Sequence, residues 1–161
     1  MFFNLFLINL LCIHNKKMKR SETVDYQIKA TWHAVFKMYN QIAAKYDTTQ
    51  ATGFVLLSIA KEGTPSTTIA PLLGMEATSL SRILKNLETK GLIYRKSDEV
   101  DKRKVLIFLT PEGVEKRKIA KKVVSGFNKL ILEEIPQEKL SVFYEVMESI
   151  NKTVEKYKQT S

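Results

Sequence analysis

One cysteine and two histidines are found in 161 residues. Cys12 therefore has no disulfide partner within the chain, and a lone thiol fits a reducing compartment. His14 and His33 show no metal-ligand spacing with Cys12, and neither a phosphate-cradling glycine loop nor a nucleophile elbow occurs. The sequence thus gives no reason to expect enzyme chemistry, a catalytic residue, a metal or a cofactor. Glycine and proline are also sparse, six and four residues, and they form no low-complexity linker. No apolar run reaches the roughly 20 residues that cross a bilayer, so no membrane association is expected of the domain.

What is present suits one compact domain. Its length allows a real core, and 44% apolar with 27% charged residues argue against wholesale disorder. The longest apolar stretch, MFFNLFLINLLCI at residues 1–13, is broken only by Asn4 and Asn9. It is too short to span, its lysines Lys16 and Lys17 follow it instead of preceding it, and no small-residue cleavage site appears. Residues 1–17 are read as an extension ahead of an ordinary start at Met18, either a start-codon misassignment or a dispensable segment. A membrane-surface tether is the alternative.

Charge is uneven. The net is +9, yet residues 79–122 alone carry +7, from thirteen Lys and Arg against six Asp and Glu, while residues 21–78 and 123–161 are each at −1. A basic block between near-neutral flanks suits a polyanionic partner, although charge by itself does not distinguish one from a solvated face.

Periodicity supplies the element order. Ile28, Trp32, Val35, Tyr39, Ile42 and Tyr46 recur at helical, nearly heptad spacing over 26–46. A second helix, capped by Thr48 or Thr49, carries the all-round apolar run Phe54, Val55, Leu56, Leu57, Ile59 and Ala60 and stops at Gly63 and Pro65. A short third helix holds Ile69, Ala70, Leu72 and Leu73; Pro71 implies that it begins late, near Thr68 or Ile69. After Gly74, a helix over about 77–90 places Leu80, Ile83, Leu84 and Leu87 on one side, and Gly91 stops it. Two β-type runs, 92–96 and 105–109, flank a charged tip at 97–104. Thr110-Pro111-Glu112 then opens a helix that runs toward Glu133 and Glu134, since it combines a capping hydroxyl, a proline at the first helical position and an acid at the positive dipole end. Pro136 separates it from a last helix with Leu140, Phe143, Met147, Ile150, Val154 and Tyr157 in a second heptad-like stripe.

A short helix, a glycine turn and a second helix with a polar outer face make a helix-turn-helix, whose second helix enters the DNA major groove. At about 100° per residue, Thr78, Arg82 and Lys85 lie opposite the leucine stripe, with Ser79 and Asn86 on one flank and Ser81 on the other. Such residues hydrogen-bond phosphates and base edges. The hairpin that follows, tipped with Asp98, Glu99, Asp101, Lys102, Arg103 and Lys104, is a wing able to reach a minor groove.

Three segments in this order, Ser81-Arg82-Ile83-Leu84-Lys85-Asn86-Leu87-Glu88-Thr89-Lys90-Gly91-Leu92-Ile93, then Asp101-Lys102-Arg103, then Leu109-Thr110-Pro111-Glu112-Gly113, resemble the multiple antibiotic resistance regulator (MarR) family of bacterial winged-helix transcription factors. The resemblance runs from about residue 26 to residue 157. It implies a mainly α fold with a small β-hairpin wing, that is, a winged helix-turn-helix domain flanked by N- and C-terminal dimerisation helices. By resemblance Arg103 is the wing-tip arginine of the minor groove, Asp101 the acid that helps hold it, and Arg82 an arginine with a partly structural role. The expected DNA-binding set is Thr78, Ser79, Ser81, Arg82, Lys85, Asn86, Lys90, Arg95, Asp101, Lys102, Arg103 and Lys104. Within it Lys85 and Lys90 mainly meet phosphate, and Arg95 is a phosphate contact or a solvated strand residue.

The domains expected are the extension 1–17, an N-terminal dimerisation helix at 18–47, the DNA-binding region at 48–110 and C-terminal dimerisation helices at 111–161. The resemblance further implies a cytoplasmic homodimer on a pseudo-palindromic double-stranded operator, acting as a ligand-responsive repressor. A small aromatic effector would meet Trp32, His33, Phe36, Tyr39 and Phe54, which serve equally as core. Cys12 has no second cysteine to resolve an oxidised form. A winged-helix protein-interaction module without sequence-specific DNA binding is the alternative function.

Overall fold

The computed structural model describes residues 19–160. The extension 1–17, with Cys12, His14, Lys16 and Lys17, lies outside the described residues, as does Met18. The chain divides into two compact units, the first ending at Gln50 and the second beginning at Ala51.

In the first unit a single 3-10 turn, Arg20–Glu22, leads into helix α1, Val24–Ala44. Tyr39 is the residue of its stripe that is buried, and burial pushes its hydroxyl pKa up. Trp32 is 53% exposed, and Val24 and Phe36 are also exposed. Asn40, near the end of α1, has a double role. Its Nδ2 donates to the Phe36 carbonyl, and its Oδ1 accepts from Gln50 N at 3.1 Å, meeting an N–H at the start of the next helix for which the sequence offers Thr48 or Thr49.

The second unit contains α2 (Gln50–Ser58, from its second residue), β1 (Thr64–Pro65), α3 (Ser66–Leu72), α4 (Ala77–Thr89), β2 (Ile93–Ser97), β3 (Val105–Leu109), α5 (Pro111–Glu134) and α6 (Gln137–Thr160). Its core joins Val55, Leu56 and Ile59 of α2 and its end, Ile69 and Ala70 of α3, Leu80, Leu84 and Leu87 of α4, Ile93 of β2 and Ile107 of β3. Each element thus buries one apolar stripe, and the stripe of α4 is the one its sequence spacing predicts.

Three details differ from the sequence expectation. The sheet has three antiparallel strands, in the order β1-β3-β2, instead of a two-stranded hairpin. β1 is only two residues long, pairs Thr64 with Ile107 and Pro65 with Leu106, and tolerates Pro65 because an edge strand can spare a backbone donor. β2 begins at Ile93, not Leu92. Helix α3 begins at Ser66 and encloses Pro71, where a later start was expected. With Pro71 six residues into so short a helix, one backbone donor is lost near its end, and Leu73 N and Gly74 N close the last turn onto Ile69, Ala70 and Pro71 carbonyls.

The start of α5 is fixed by Thr110. Its Oγ1 accepts from Gly113 N at 3.1 Å, as an N-cap, and donates to the Gly91 carbonyl at 2.7 Å, while Thr110 N donates to the Leu92 carbonyl at 3.1 Å. Gly113 lies so close to that strand entry that a Cβ on it would collide with the Leu92 carbonyl oxygen. Gly113→Ala is therefore expected to lower stability by about 1–3 kcal/mol, the usual range for overpacking, read as a drop in thermal unfolding midpoint. An unchanged midpoint would show that the α5 terminus shifts freely.

Candidate nucleic-acid interface

Helix α4 is held by apolar residues on one side and ended by a sharp turn on the other. Leu80, Leu84 and Leu87 are buried, whereas Thr78, Ser79, Ser81, Arg82, Lys85, Asn86 and Lys90 are all exposed. At its end Leu92 N donates to the Leu87 carbonyl and Gly91 N to the Glu88 carbonyl, both at 2.9 Å. These are the two bonds of a Schellman motif, and Gly91 at φ +66° occupies the left-handed position that the motif requires. The motif turns the chain directly into β2, so the polar face of the helix and the wing belong to one compact unit.

Hydrogen bonds inside the helix sort its hydroxyls. Ser81 Oγ donates to the Ala77 carbonyl at 2.8 Å, which spends its proton and leaves it able only to accept. Thr89 is likewise bonded back to Lys85. Thr78 and Ser79 have no side-chain hydrogen bond among the described residues, so both can donate outward.

The wing tip is built on carboxylates. Asp98 Oδ1 accepts from Asp101 N at 2.7 Å and Val100 N at 2.9 Å, an Asx turn, and Asp98 N donates to the Lys104 carbonyl at 3.0 Å. The backbone N–H groups of Asp101 and Val100 hold the Asp98 carboxyl below the usual aspartate range. Lys96 and Glu99, paired at 2.7 Å, shift each other apart, the lysine up and the glutamate down. Asp101 meets Arg103 through the backbone. Both lie in the tip turn, and Asp101 Oδ1 accepts from the Arg103 backbone N at 3.1 Å while its Oδ2 faces Lys104 Nζ at 3.6 Å. The acid sets the backbone of Arg103 and leaves its guanidinium without an ion pair among the described residues.

Of the thirteen bases in the basic block, several are spoken for. Arg95 Nε stands 3.1 Å from Glu88 Oε2 on α4, Lys96 pairs with Glu99, Lys104 with Asp101 and Lys118 with Glu115. Arg117 turns inward and donates to the Ile59 carbonyl at 2.8 Å, tying α5 to the end of α2. Arg82, Lys85, Lys90, Lys102, Arg103, Lys116, Lys121 and Lys122 have no ion pair among the described residues. The partnership of Glu88 with Arg95 and the inward turn of Arg117 join residues of different elements, which spacing along the sequence does not reveal.

The aromatic candidates are divided. Trp32 and Phe36 meet at 6.3 Å between ring centroids on α1, with His33 exposed and Tyr39 buried on the same helix. Phe54 is half-buried on α2, in the second unit. No group of three or more His, Cys, Asp or Glu suited to a metal occurs among the described residues, and none of their helices is long and apolar enough to cross a membrane.

A helix-turn-helix followed by a β-wing defines the class, a winged helix. Residues 48–105 match the model of the MarR family. The chain is 33% identical over 89 residues to the HTH-type transcriptional regulator TtmR of Methylorubrum extorquens (strain PA1), covering 55% of this chain but 46% of that protein, so it spans about half the length of that relative. It is 28% identical over 138 residues to the organic hydroperoxide resistance transcriptional regulator of Bacillus subtilis (strain 168), covering 83% of this chain and 93% of that one. Among solved structures, the S. aureus MepR–DNA complex matches with a TM-score of 0.73 at 22% identity, covering 81% of this chain and 98% of that one. CouR from Rhodococcus jostii RHA1, bound to p-coumaroyl-CoA, matches with 0.74 at 23%, covering 83% and 95%. At such identities these structures establish the shared fold.

The geometry of the tip carries a pH dependence. Because the Asp98 carboxyl is depressed, its support of the turn is complete above the ordinary aspartate pKa and is lost as pH falls through the lower folded value. In an NMR titration the Val100 and Asp101 amide signals are expected to move together with a midpoint below about 3.9, the value of a free aspartate. A midpoint at or above that value would show that the Asx turn does not persist in solution.

Proposed function

We propose that the protein is a sequence-specific double-stranded-DNA-binding transcriptional regulator, working in the cytoplasm as a homodimer on a pseudo-palindromic operator and repressing in response to a ligand. The observation that carries the reading is that, within the second unit, Thr78, Ser79, Arg82, Lys85 and Asn86 of α4 are exposed, as are Lys102 and Arg103 on the wing that follows it. In this reading Thr78, Ser79, Ser81, Arg82 and Asn86 meet base edges and nearby phosphates in the major groove, Ser81 as an acceptor, and Lys85 and Lys90 meet phosphate. Arg103 enters the minor groove from the wing, with Lys102 and Lys104 beside it and Asp101 shaping its backbone. The solved MepR–DNA complex, which shares the fold, supports this assignment.

The homodimer is supported by apolar surface that one chain leaves uncovered. On α6 only Leu140 of the stripe is buried, while Phe143 is 53% and Tyr157 73% exposed, and Val142, Tyr144, Val146 and Val154 are exposed beside them. Leu130 and Leu132 of α5 add to it, and in the first unit Trp32 of α1 is exposed as well. So much large apolar surface marks an interface, and a second copy would place two recognition helices about 34 Å apart, one DNA turn. The ligand is proposed to be a small aromatic molecule met by Trp32, His33, Phe36 and Tyr39 of α1, with Phe54 a separate candidate on α2. CouR, solved with p-coumaroyl-CoA, supports that class.

Selection of bound fragments from genomic DNA at near-physiological salt tests the central reading. Enrichment of a compact inverted repeat is expected, and failure to enrich any sequence would favour a protein-interaction module instead. On the enriched duplex, Arg103→Ala should cost about 1–3 kcal/mol of binding with thermal unfolding unchanged, and if about six or more phosphates are engaged, affinity should fall about a thousandfold between about 50 and 200 mM salt. Unaltered affinity of the variant at several salt concentrations would remove the wing from the mechanism. Sedimentation at micromolar concentration should give a dimer, and a stable monomer would overturn the two-helix spacing.

A further inference from the structure

Glu88 is the one acid of helix α4, and it stands in the last turn, where no basic residue of the helix accompanies it. Unsatisfied carbonyls concentrate negative partial charge at that end of a helix, so a carboxylate there is electrostatically misplaced. It is also exposed, on a helix whose other charged residues, Arg82 and Lys85, are positive and make no ion pair among the described residues. A bare carboxylate in that setting repels an approaching polyanion.

Arg95 meets it from the next element. Side chains alternate along β2, so Arg95 shares the face of Ile93, whose side chain enters the core beside α4. The Schellman turn at Gly91 brings the strand back along the helix end, and Arg95 Nε donates to Glu88 Oε2 at 3.1 Å. The cation that α4 lacks in its own last turn is supplied by the wing.

We infer that Arg95 is a positioning residue of the interface and not a phosphate contact, its task being to neutralise Glu88 so that the end of the recognition helix can approach DNA. The inference rests on the DNA-binding reading above. It makes the Glu88–Arg95 pair electrically silent toward the duplex, and it explains why an acid is tolerated on an otherwise basic face.

The test is a set of anisotropy titrations of the homodimer with the duplex enriched in the genomic selection, at about 100 mM salt. Arg95→Ala leaves Glu88 bare and is expected to weaken binding about tenfold. Adding Glu88→Gln to it restores affinity to within about threefold of the unmodified protein, a coupling that independent sites do not show. Thermal unfolding of both variants stays unchanged, because an exposed pair contributes little to stability. A double variant as weak as Arg95→Ala would identify a direct phosphate contact and overturn the inference. So would an Arg95→Ala variant that binds normally, or one whose loss of binding follows a lowered unfolding midpoint. An unmodified protein that binds no duplex overturns the DNA reading and this inference with it, whereas normal binding without rescue overturns the inference alone.

Discussion

The placement of the wing against the end of helix α4 depends on how Thr110 closes the hairpin. One hydroxyl accepts from Gly113 N and donates to the Gly91 carbonyl, and the same residue's N–H reaches the Leu92 carbonyl. Three elements end or begin within this knot, namely α4, the wing hairpin and α5. Gly91 provides the left-handed turn that ends the helix, and Gly113 provides the missing side chain that lets α5 start against the Leu92 carbonyl. The wing is thus set against the end of α4 by the Thr110 hydroxyl, backbone hydrogen bonds and two glycines, while Thr78, Ser79, Arg82 and Lys85 of α4 make no side-chain hydrogen bond or ion pair among the described residues.

Much of this was legible in the sequence, for physical reasons that differ by element. The leucines of α4 repeat at helical spacing and their burial follows from that; Gly91 and the Thr110-Pro111 pair are local signals that need no knowledge of the rest of the chain. β1 left no such signal, because two residues carry no periodicity and Pro65 argues against a strand anywhere but an edge. Pro71 misled in the opposite direction, since a helix of seven residues can carry a proline late and close its end with neighbouring carbonyls.

Side-chain partnerships were the least legible layer of the candidate site. Asp101, which the resemblance pairs with Arg103, meets it through the Arg103 backbone N–H, because the two residues sit in a turn. Arg95 and Glu88 are seven residues apart and on different elements, and only the Gly91 turn brings them within 3.1 Å. Asp98 could serve a lysine or the backbone; the structure gives its Oδ1 two backbone N–H groups. A basic block counted along the sequence overstates the charge available, since Arg117 points inward to Ile59 and four other bases already face acids.

The strand order β1-β3-β2 has a consequence for association between molecules. β3 is paired on both sides, so β2 is left at the edge of the sheet with one row of backbone groups unpaired. Such an edge is a template onto which another chain's strand can add. Here it is short, five residues, and three of its exposed side chains are Tyr94, Arg95 and Lys96. Two adjacent bases on a brief edge, in front of a tip pinned by its own Asx turn, discourage a further strand from zipping on. On the β2 side these features work against addition of a fourth strand and favour the wing as a projection.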